Sequence, residues 1–467
     1  MNIRRNKEFG RLQTAYEDQK SRLVILTGRH GVGKTALLQD FAAEKSCFWY
    51  QAAECSPQQQ FSLLRKGWQD AYGIGIHKAG GASGIEQSLE IKTPETFGEI
   101  FVQACLKATG KPVIIVEDFL RIAKGNPDFY TQINELMNRE TSVMMVLTAS
   151  TLQWQSEEAE IEPRSFVSSI TDRIALKPFT FLETVQYFPQ LPVGDIIEIY
   201  GLLGGIPGYL KYWNPEKSVE ENVKTLFLQE DGALAKEAQS YLRTGLRELS
   251  LYNTVLSAMT GGVTRLNDIH EKTGFSRAKI SVYMKNLNQL GVVDKAKTIT
   301  VKTGDAQMKG MYTIADPLVH FWYRFLYPNQ TLLLLISPQE FYERIIAPDW
   351  TEYVEQYFER VCVQYLELLN KYHKLSMDYE KAGAWFGMQG RIPFLAKNRD
   401  GQVLVMQCKW SKEPFSTQDL EKLLQYLMKA GITPECYYLF SRSDFTAELR
   451  KKAEYVKNMN LVDLKEL

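Results

Sequence analysis

The sequence predicts an α/β protein whose first 180 residues form a doubly wound, parallel sheet. Amphipathic segments such as TALLQDFAAEK (residues 35–45) alternate with apolar runs and supply the crossover helices of βαβ units. The apolar runs are nearly continuous, which is typical of parallel strands buried on both faces. They predict five strands, at residues 22–28, 47–53, 111–118, 142–150 and 173–179.

The remaining chain is too long to join the same core. A chain of 467 residues divides into roughly three or four domains. The pattern turns helical after the fifth strand, then gives three helices with two short strands, and ends in a mixed α/β segment. We therefore predict four domains, at residues 1–180, 181–250, 251–325 and 326–467, and the last is called the tail.

Composition excludes several classes of protein. Fifty-five basic and fifty-five acidic residues cancel, so a polyanionic partner must be bound by a local patch. The six cysteines form no CxxC pair, which predicts reduced thiols and argues against structural zinc. The charged N-terminus and the short apolar runs predict a cytoplasmic protein without a membrane segment.

A glycine-rich turn follows the first predicted strand. GRHGVGKT (residues 28–35) fits the pattern G-x-x-x-x-G-K-[ST] between a strand and a helix, the context in which backbone N–H groups surround a phosphate. Lys34 would reach the β- and γ-phosphates, and the Thr35 hydroxyl would bind Mg²⁺. The alternative is a glycine turn that caps an ordinary βα unit. The turn predicts ATP and Mg²⁺ as cofactors, with Gly28, Arg29, His30, Gly31, Val32, Gly33, Lys34, Thr35 and Ala36 around the nucleotide.

Two carboxylates end the third predicted strand. The usual order in such ATPases is aspartate then glutamate, but VIIVEDF gives Glu117 and then Asp118. Glu117 is long enough to reach a hydrated Mg²⁺, whereas Asp118 is shorter than the usual catalytic base. A displacement of about 1 Å costs roughly a hundredfold in rate. We therefore expect firm ATP binding and slow hydrolysis.

Two further side chains are candidates for sensing the γ-phosphate. Thr148 or Ser150, at the end of the fourth strand, would contact the phosphate or the attacking water, or would simply cap the strand end. Arg173 precedes the apolar part of the fifth strand and is a candidate arginine finger, with a surface salt bridge as the alternative.

Several motifs together resemble a known family. They are RRNKEFGRL (4–12), the glycine-rich turn, DRIALKPFTFLETVQYF (172–188), LGGIPGYL (203–210) and YTIADPLVHFWYRFLYP (312–328). The chain resembles archaeal and bacterial P-loop ATPases of the AAA+/STAND type that carry a nuclease-like C-terminal DUF234 domain. The resemblance implies a P-loop NTPase sheet with a helical lid at 181–250 and a restriction-endonuclease-like tail. It also implies that Arg5 and Glu8 lie near the nucleotide base.

Residues 251–315 fit a winged helix. SRAKISVYMKNLNQLG (276–291) begins with a serine N-cap and is the predicted recognition helix, and VVDKAKTITVKTGDAQMKGMYTI (292–314) is the predicted wing. Between residues 262 and 310, nine basic residues face four acidic ones, a local excess suited to DNA phosphates. Packing between domains or against a protein is the alternative. The DNA candidates are Arg277, Lys279, Lys285 and the wing lysines, whereas Ile280, Tyr283, Leu287 and Leu290 are predicted core residues.

The tail departs from an active nuclease pattern. The resemblance implies a glutamate on a helix, an aspartate, and Glu-x-Lys on the next strand, all around Mg²⁺. Glu359 fills the first position, but Pro393 and Gln407 replace two carboxylates and only Lys409 is retained beside them. A hard cation requires carboxylate oxygens, so we predict a retained fold without catalysis.

Together these patterns predict an ATP-dependent switch with slow hydrolysis. A protein that holds ATP as a structural ligand without turnover is the alternative, and an active DNA nuclease is a third hypothesis. Turnover that disappears in Lys34→Ala distinguishes the first two, and Mg²⁺-dependent cleavage lost in Lys409→Ala identifies the third.

Overall fold

The computed structural model describes residues 5–72, 94–262, 264–300, 311–387 and 390–467. The chain divides into two compact units, an N-terminal unit of residues 2–178 and a C-terminal unit of residues 179–467. This boundary falls two residues before the predicted one at residue 180, and the further division of the C-terminal unit stays a prediction. Within the described ranges, no helix is long and apolar enough to cross a membrane.

A five-stranded sheet forms the centre of the N-terminal unit. Its order is β2-β3-β4-β1-β5 and every neighbouring pair is parallel, as the continuous apolar runs predict. The strands are β1 (Arg22–Thr27), β2 (Cys47–Gln51), β3 (Val113–Glu117), β4 (Met144–Ala149) and β5 (Ile170–Ala175). The helices are α1 (Asn6–Glu17), α2 (Lys34–Ala42), α3 (Pro57–Ala71), α4 (Phe97–Leu106), α5 (Leu120–Ala123), α6 (Phe129–Met137), α7 (Thr151–Glu157) and α8 (Arg164–Ser169).

Both faces of this sheet are buried. Leu23 and Ile25 of β1 pack into one hydrophobic cluster, whereas Val24 and Leu26 pack into another on the opposite face. Alternate side chains of a strand point to opposite faces, so a strand covered on both sides is apolar throughout. This explains why the interior strands were readable as continuous apolar runs.

The fifth strand lies earlier in the chain than predicted. It was expected at residues 173–179, but β5 spans Ile170–Ala175, so Arg173 lies in the second half of the strand instead of at its start. Because β5 is an edge strand, it alternates buried Ile170 and Ile174 with exposed or half-exposed residues. The first half of β5 therefore lacks the continuous apolar run that marks the interior strands.

Helices make up the first part of the C-terminal unit. Three π-helical turns also lie within its described residues, at Lys224–Leu228, Trp322–Leu326 and Tyr342–Ile346. The helices are α9 (Phe181–Tyr187), α10 (Val193–Leu203), α11 (Pro207–Leu210), α12 (Val219–Val223), α13 (Glu237–Arg243), α14 (Leu249–Thr260), α15 (Leu266–Thr273) and α16 (Arg277–Gln289).

An antiparallel pair of short strands follows α16. β6 (Val293–Lys295) pairs with β7 (Tyr312–Ile314), where the strands of the wing are predicted. Residues 301–310 of the predicted wing lie outside the described residues. Next come α17 (Pro317–Phe321), α18 (Gln330–Leu335), α19 (Pro338–Phe341) and the long α20 (Trp350–Lys371).

The tail contains a second five-stranded sheet, of mixed direction. β10 is antiparallel to β9 and parallel to β11, and the order is β12-β11-β10-β9-β8. The mixed sheet agrees with the predicted α/β fold of the tail. Its elements are β8 (Lys381–Gly387), β9 (Gly390–Lys397), β10 (Val403–Lys409), α21 (Thr417–Ala430), β11 (Cys436–Ser441), α22 (Ala447–Tyr455) and β12 (Met459–Asp463).

The segment after β6 is attached to the edge of the tail sheet. Ala384 of β8 donates its N–H to the Lys297 carbonyl at 2.9 Å and accepts the Ile299 N–H at 3.1 Å. A Cβ on Gly383 would lie 2.7 Å from the Lys297 carbonyl oxygen, so this approach requires glycine. The base of the predicted wing is therefore paired with the tail through its main chain.

Candidate functional site

The glycine-rich turn joins the end of β1 to the start of α2. Gly31 and Gly33 adopt φ angles of 78° and 98°, which side chains other than glycine rarely accept. A Cβ on Gly28 would lie 2.7 Å from the Cγ1 of Val32 and 3.1 Å from the Leu176 carbonyl oxygen. The sequence GRHGVGKT thus folds as a tight turn for steric reasons.

Residues of the turn differ in exposure. Gly28 and Val32 are buried and fix the turn to the core, whereas His30 and Ala36 are exposed. Arg29 is half-buried. Among the described residues no side chain caps the N-terminus of α2, because its N-cap is Gly33. The first N–H groups of a helix have no intrahelical partner, so this end of α2 favours an anion.

Arg5 and Glu8 lie at the N-terminus of α1. The Nη2 of Arg5 donates to the Val32 carbonyl at 2.8 Å, and the Arg5 side chain is buried. Glu8 is half-exposed in the first turn of the helix. Arg5 therefore braces the glycine-rich turn, and the predicted contact of both residues with a base stays a prediction.

Lys34 bends back over the turn. Its Nζ donates to the Gly28 carbonyl at 2.7 Å and to the Arg29 carbonyl at 3.3 Å. Burial lowers the pKa of Lys34, and the negative charges of Asp118 and Glu117 oppose this shift. The ammonium group thus lies at the centre of the turn, with two carboxylates close enough to act on it.

Glu117 meets Thr35 at the end of β3. The Thr35 hydroxyl donates to Glu117 Oε2 at 2.6 Å, and the indole Nε1 of Trp49 donates to Oε1 at 3.1 Å. Glu117 is only 5% exposed. The structure therefore brings together the two residues that were predicted to hold the metal ion, and it adds Trp49, which sequence reasoning missed.

Asp118 has an unusual backbone conformation. Its φ of 53° lies in the left-handed region, which aspartate tolerates better than most residues. Its N–H donates to the buried Thr148 hydroxyl at 3.1 Å, and its Oδ2 lies 3.9 Å from Nη2 of Arg121. Thr148 thus supports the main chain beside the site, and Arg121 is a neighbour that the sequence did not single out.

Two predicted site residues have other contacts. Ser150 is the N-cap of α7 and accepts the Gln153 N–H at 3.2 Å. Arg173 donates through Nε to Glu158 Oε1 at 2.9 Å, in a pair whose Arg173 side chain is 48% exposed. Arg173 thus forms the salt bridge that its alternative describes, whereas Ser150 caps the following helix instead of the strand end. Their catalytic roles stay predictions.

The arrangement fits a nucleoside triphosphate with a divalent cation. The turn has no room for a side chain at Gly28, so its main chain can curve closely around a phosphate. The Thr35 hydroxyl and Glu117 carboxylate converge within hydrogen-bond distance, which supplies the hard oxygen donors that Mg²⁺ prefers.

Sequence comparisons agree with this geometry. Residues 3–213 match a family described as an ATPase domain predominantly from Archaea. Residues 322–423 match DUF234, described as archaeal and bacterial proteins of unknown function. An ATPase domain followed by a DUF234 domain is the arrangement of the P-loop ATPase family that the sequence motifs resemble.

Relatives of this ATPase span most of its length. An uncharacterised protein of Methanocaldococcus jannaschii is 23% identical over 438 residues, covering 92% of this chain and 91% of its own. Among solved structures, the ORC2 protein of Aeropyrum pernix in ADPNP–ADP complexes is 13% identical, with a TM-score of 0.41 over 72% of this chain and 95% of its own. The ORC1 protein of the same organism, in complex with DNA, is 16% identical, with a TM-score of 0.34 over the same two fractions.

The predicted recognition helix of the ATPase is α16. Arg277, Lys279 and Lys285 are exposed on it. Lys279 lies over the rings of Phe275 and Tyr283, at 5.1 and 5.7 Å from their centroids. The predicted core residues Ile280, Tyr283, Leu287 and Leu290 are all buried, which confirms how the helix is oriented.

The DUF234 part of the ATPase uses its predicted nuclease positions in ion pairs. Glu359 on α20 pairs with Arg391 of β9. Lys409 at the end of β10 donates to Asp419 Oδ2 at 2.8 Å and to the Pro414 carbonyl at 3.2 Å. Among the described residues no group of three or more His, Cys, Asp or Glu side chains is arranged to hold a metal ion.

Proposed function

We propose that this protein is a nucleotide-dependent switch that binds ATP with Mg²⁺ at the glycine-rich turn and hydrolyses it slowly. The observation that carries the proposal is the 2.6 Å hydrogen bond between the Thr35 hydroxyl and the Glu117 carboxylate, beside the Lys34 ammonium. A helix-start threonine and a distant strand-end carboxylate meet in this way in P-loop ATPase sites, which supports the proposal.

In this proposal the residues of the turn act by position and charge. The N–H groups of the turn and of the α2 N-terminus bind the phosphates, and Lys34 exchanges its carbonyl partners for phosphate oxygens. Mg²⁺, when bound, neutralises charge on the phosphates. Thr35 and Glu117 orient this cation, directly or through its water shell. Arg5 keeps the turn in shape through the Val32 carbonyl.

Asp118 explains why hydrolysis is expected to be slow. It is one methylene shorter than the usual base. Its Oδ2 also lies 3.9 Å from the Arg121 guanidinium, which competes with an attacking water for the carboxylate. Its left-handed main chain fixes where the carboxylate begins. An attacking water held about 1 Å from its best position reacts roughly a hundredfold more slowly.

Calorimetric titration of the full chain with Mg·ATP tests nucleotide binding. We expect saturable heat for the wild type and at least a tenfold loss of affinity in Lys34→Ala, because a hydrogen-bonded charge is removed. Lys409→Ala, which removes a lysine from the DUF234 part, serves as the control and should bind normally. Absence of heat with both Mg·ATP and Mg·GTP would remove the proposal.

The second candidate function is a binding protein that holds ATP without turnover. The pair formed by Asp118 and Arg121 favours it, because the carboxylate in the position of the base already has a cationic neighbour. Phosphate release in single-turnover experiments separates the two functions. Turnover that is present in the wild type and absent in Lys34→Ala supports the switch, whereas a bound ATP that survives for hours supports the scaffold.

We also propose that the output of the switch is contact with double-stranded DNA through the predicted winged helix. Its support is the local basic excess and the exposure of Arg277, Lys279 and Lys285 on one helix. Lys297 of the wing base is tied to β8 by its main chain, whereas Arg277, Lys279 and Lys285 lie on a helix that pairs with no strand through its main chain.

Duplex DNA titrated at two salt concentrations tests this output. Replacing Arg277, Lys279 and Lys285 by alanine should weaken binding and flatten its salt dependence. A matched triple replacement of the exposed Lys422, Lys429 and Lys451 on α21 and α22 controls for the loss of charge alone. Affinity that ignores salt, or that both triple variants share, would discard DNA binding. ATP turnover that rises with DNA would join the two functions.

The DUF234 part is proposed to keep a nuclease-like fold without cleavage. Pro393 and Gln407 supply no carboxylate, and the Lys409 ammonium and the Glu359 carboxylate are each held in an ion pair. We expect no Mg²⁺-dependent cleavage of plasmid or linear DNA. Cleavage by the wild type that is lost in Lys409→Ala would establish an active nuclease instead.

A further inference from the structure

Trp49 lies beside the proposed metal residues and has no role in the function described so far. It belongs to β2, the edge strand next to β3, and its ring is only partly buried against the hydrophobic cluster on that face. Its indole N–H is aimed at Glu117 Oε1, 3.1 Å away, while Thr35 holds Oε2. Each carboxylate oxygen of Glu117 therefore has its own donor.

Glutamate at this position needs such a donor more than aspartate does. Its additional methylene adds a rotatable bond, so fixing a buried glutamate side chain costs more conformational entropy than fixing an aspartate. Indole is a donor only, on a rigid ring with two torsions, so it can hold a carboxylate without competing for the cation. A hydrogen bond to a charged acceptor is also stronger than one between neutral groups.

We propose that Trp49 is a positioning residue that allows glutamate to serve where aspartate is usual. Its indole N–H holds one oxygen of Glu117, and this keeps the other oxygen at the Thr35 hydroxyl and at the cation. The inference rests on the proposed ATP and Mg²⁺ site. Trp49, 68 positions before Glu117 in the chain, thus compensates for the inverted Glu117-Asp118 order.

The test compares ATP binding with and without Mg²⁺ in Trp49→Phe. Phenylalanine keeps a ring in the same place and removes the N–H. Calorimetry in Mg²⁺ and in EDTA gives the factor by which the cation strengthens ATP binding. We expect Trp49→Phe to reduce this factor about tenfold, the size expected for losing a hydrogen bond to a charged group, with cation-free affinity within about twofold of the wild type.

Two further variants separate positioning from packing. Trp68→Phe makes the same change in the same unit at a buried indole whose Nε1 has no hydrogen-bond partner among the described residues, and it should leave the Mg²⁺ factor unchanged. In a Glu117→Asp background, Trp49→Phe should cost less than about twofold, because the shorter carboxylate no longer reaches the indole.

Each outcome decides a different question. A wild type whose ATP binding is indifferent to Mg²⁺ would defeat the proposed metal site itself. A wild type that needs Mg²⁺, with Trp49→Phe behaving identically, would overturn only the role of Trp49. Equal losses in Mg²⁺ and in EDTA, accompanied by a lower Tm, would make Trp49 a packing residue and also overturn the inference.

Discussion

The strand ends of the N-terminal unit and those of the tail make opposite use of similar side chains. Around the glycine-rich turn, Lys34 contacts main-chain carbonyls and Glu117 contacts a hydroxyl and an indole. In the tail, Lys409 at the end of β10 contacts the carboxylate of Asp419, and Glu359 on α20 contacts Arg391 of β9. A phosphate or a cation can displace neutral partners at little cost, whereas an ion pair must first be broken. The charged side chains at the glycine-rich turn thus have neutral partners that a ligand can replace, whereas those of the tail are held in ion pairs.

The largest expected effect comes from a substitution in the glycine-rich turn. Gly28→Ala places a Cβ 2.7 Å from Val32 and 3.1 Å from the Leu176 carbonyl, so the turn must shift. Overpacking of this kind costs roughly 1–3 kcal/mol, and ATP affinity measured by calorimetry should fall between about tenfold and a hundredfold.

Gly10→Ala is the matched control for this change. A Cβ on Gly10, inside α1, meets no atom of the described residues within 4 Å beyond its own helix backbone and chain neighbours, and alanine favours a helix. It should bind ATP like the wild type and unfold at the same or a slightly higher temperature. Normal ATP binding by Gly28→Ala would show that the turn does not hold the phosphates.

A smaller effect sharpens the account of slow turnover. Exchanging the carboxylates in Glu117→Asp/Asp118→Glu should raise the single-turnover rate by about tenfold, because the longer base reaches the attacking water. Position 118 has a left-handed φ of 53°, which glutamate accepts less readily than aspartate, so Tm should fall slightly. A rate that is unchanged or lower would mean that the inverted order does not limit hydrolysis.

The interior beside α20 gives a pH-dependent prediction for the C-terminal unit. His320 is buried, with Nδ1 2.7 Å from the Tyr357 hydroxyl, and burial, aided by Arg360 and Arg324, lowers its pKa to about 3. Between pH 6.5 and 3, His320 is therefore protonated in the unfolded chain and neutral in the folded chain. The free energy of unfolding should fall as pH falls, by about 1.4 kcal/mol per unit from this group.

Urea unfolding at pH 7.0 and 5.5 measures this contribution. Wild type should lose about 1 kcal/mol more than His320→Gln between the two values, because the variant has no proton to bind there. His373→Gln, at a histidine whose side chain is 81% exposed, is the control and should follow the wild type. Parallel losses in wild type and His320→Gln would contradict a neutral buried His320.

The smallest effect concerns the ion pair at the end of β10. Lys409→Met should lower the free energy of unfolding by about 1 kcal/mol or less and leave ATP binding intact. Burial alone would raise the pKa of Asp419, but the hydrogen bonds from Lys409 and Ser416 lower it. The pair therefore stabilises the fold above about pH 4 and is lost below it, so the variant should show a weaker acid dependence. An unchanged acid profile would deny the pair a structural role.

Much of the N-terminal unit could be predicted because its signals are local. Interior strands buried on both faces give unbroken apolar runs, and the five-stranded parallel sheet confirms them. The predicted start of the edge strand β5 was three residues too late, because a half-exposed strand carries polar residues that interrupt its apolar run. The winged helix, the domain boundaries inside the C-terminal unit and the site roles of Ser150 and Arg173 stay predictions.

The sequence alone specified the turn at residues 28–35 and the acidic pair Glu117-Asp118, because each depends on which residues are adjacent in the chain. Only the tertiary structure decided which partners those side chains take. Trp49 reaches Glu117, and Asp419 reaches Lys409, because neighbouring elements of the fold bring residues from separate positions within 3.1 Å. Hydrogen bonds form between atoms close in space, and no spacing along the chain encodes that distance.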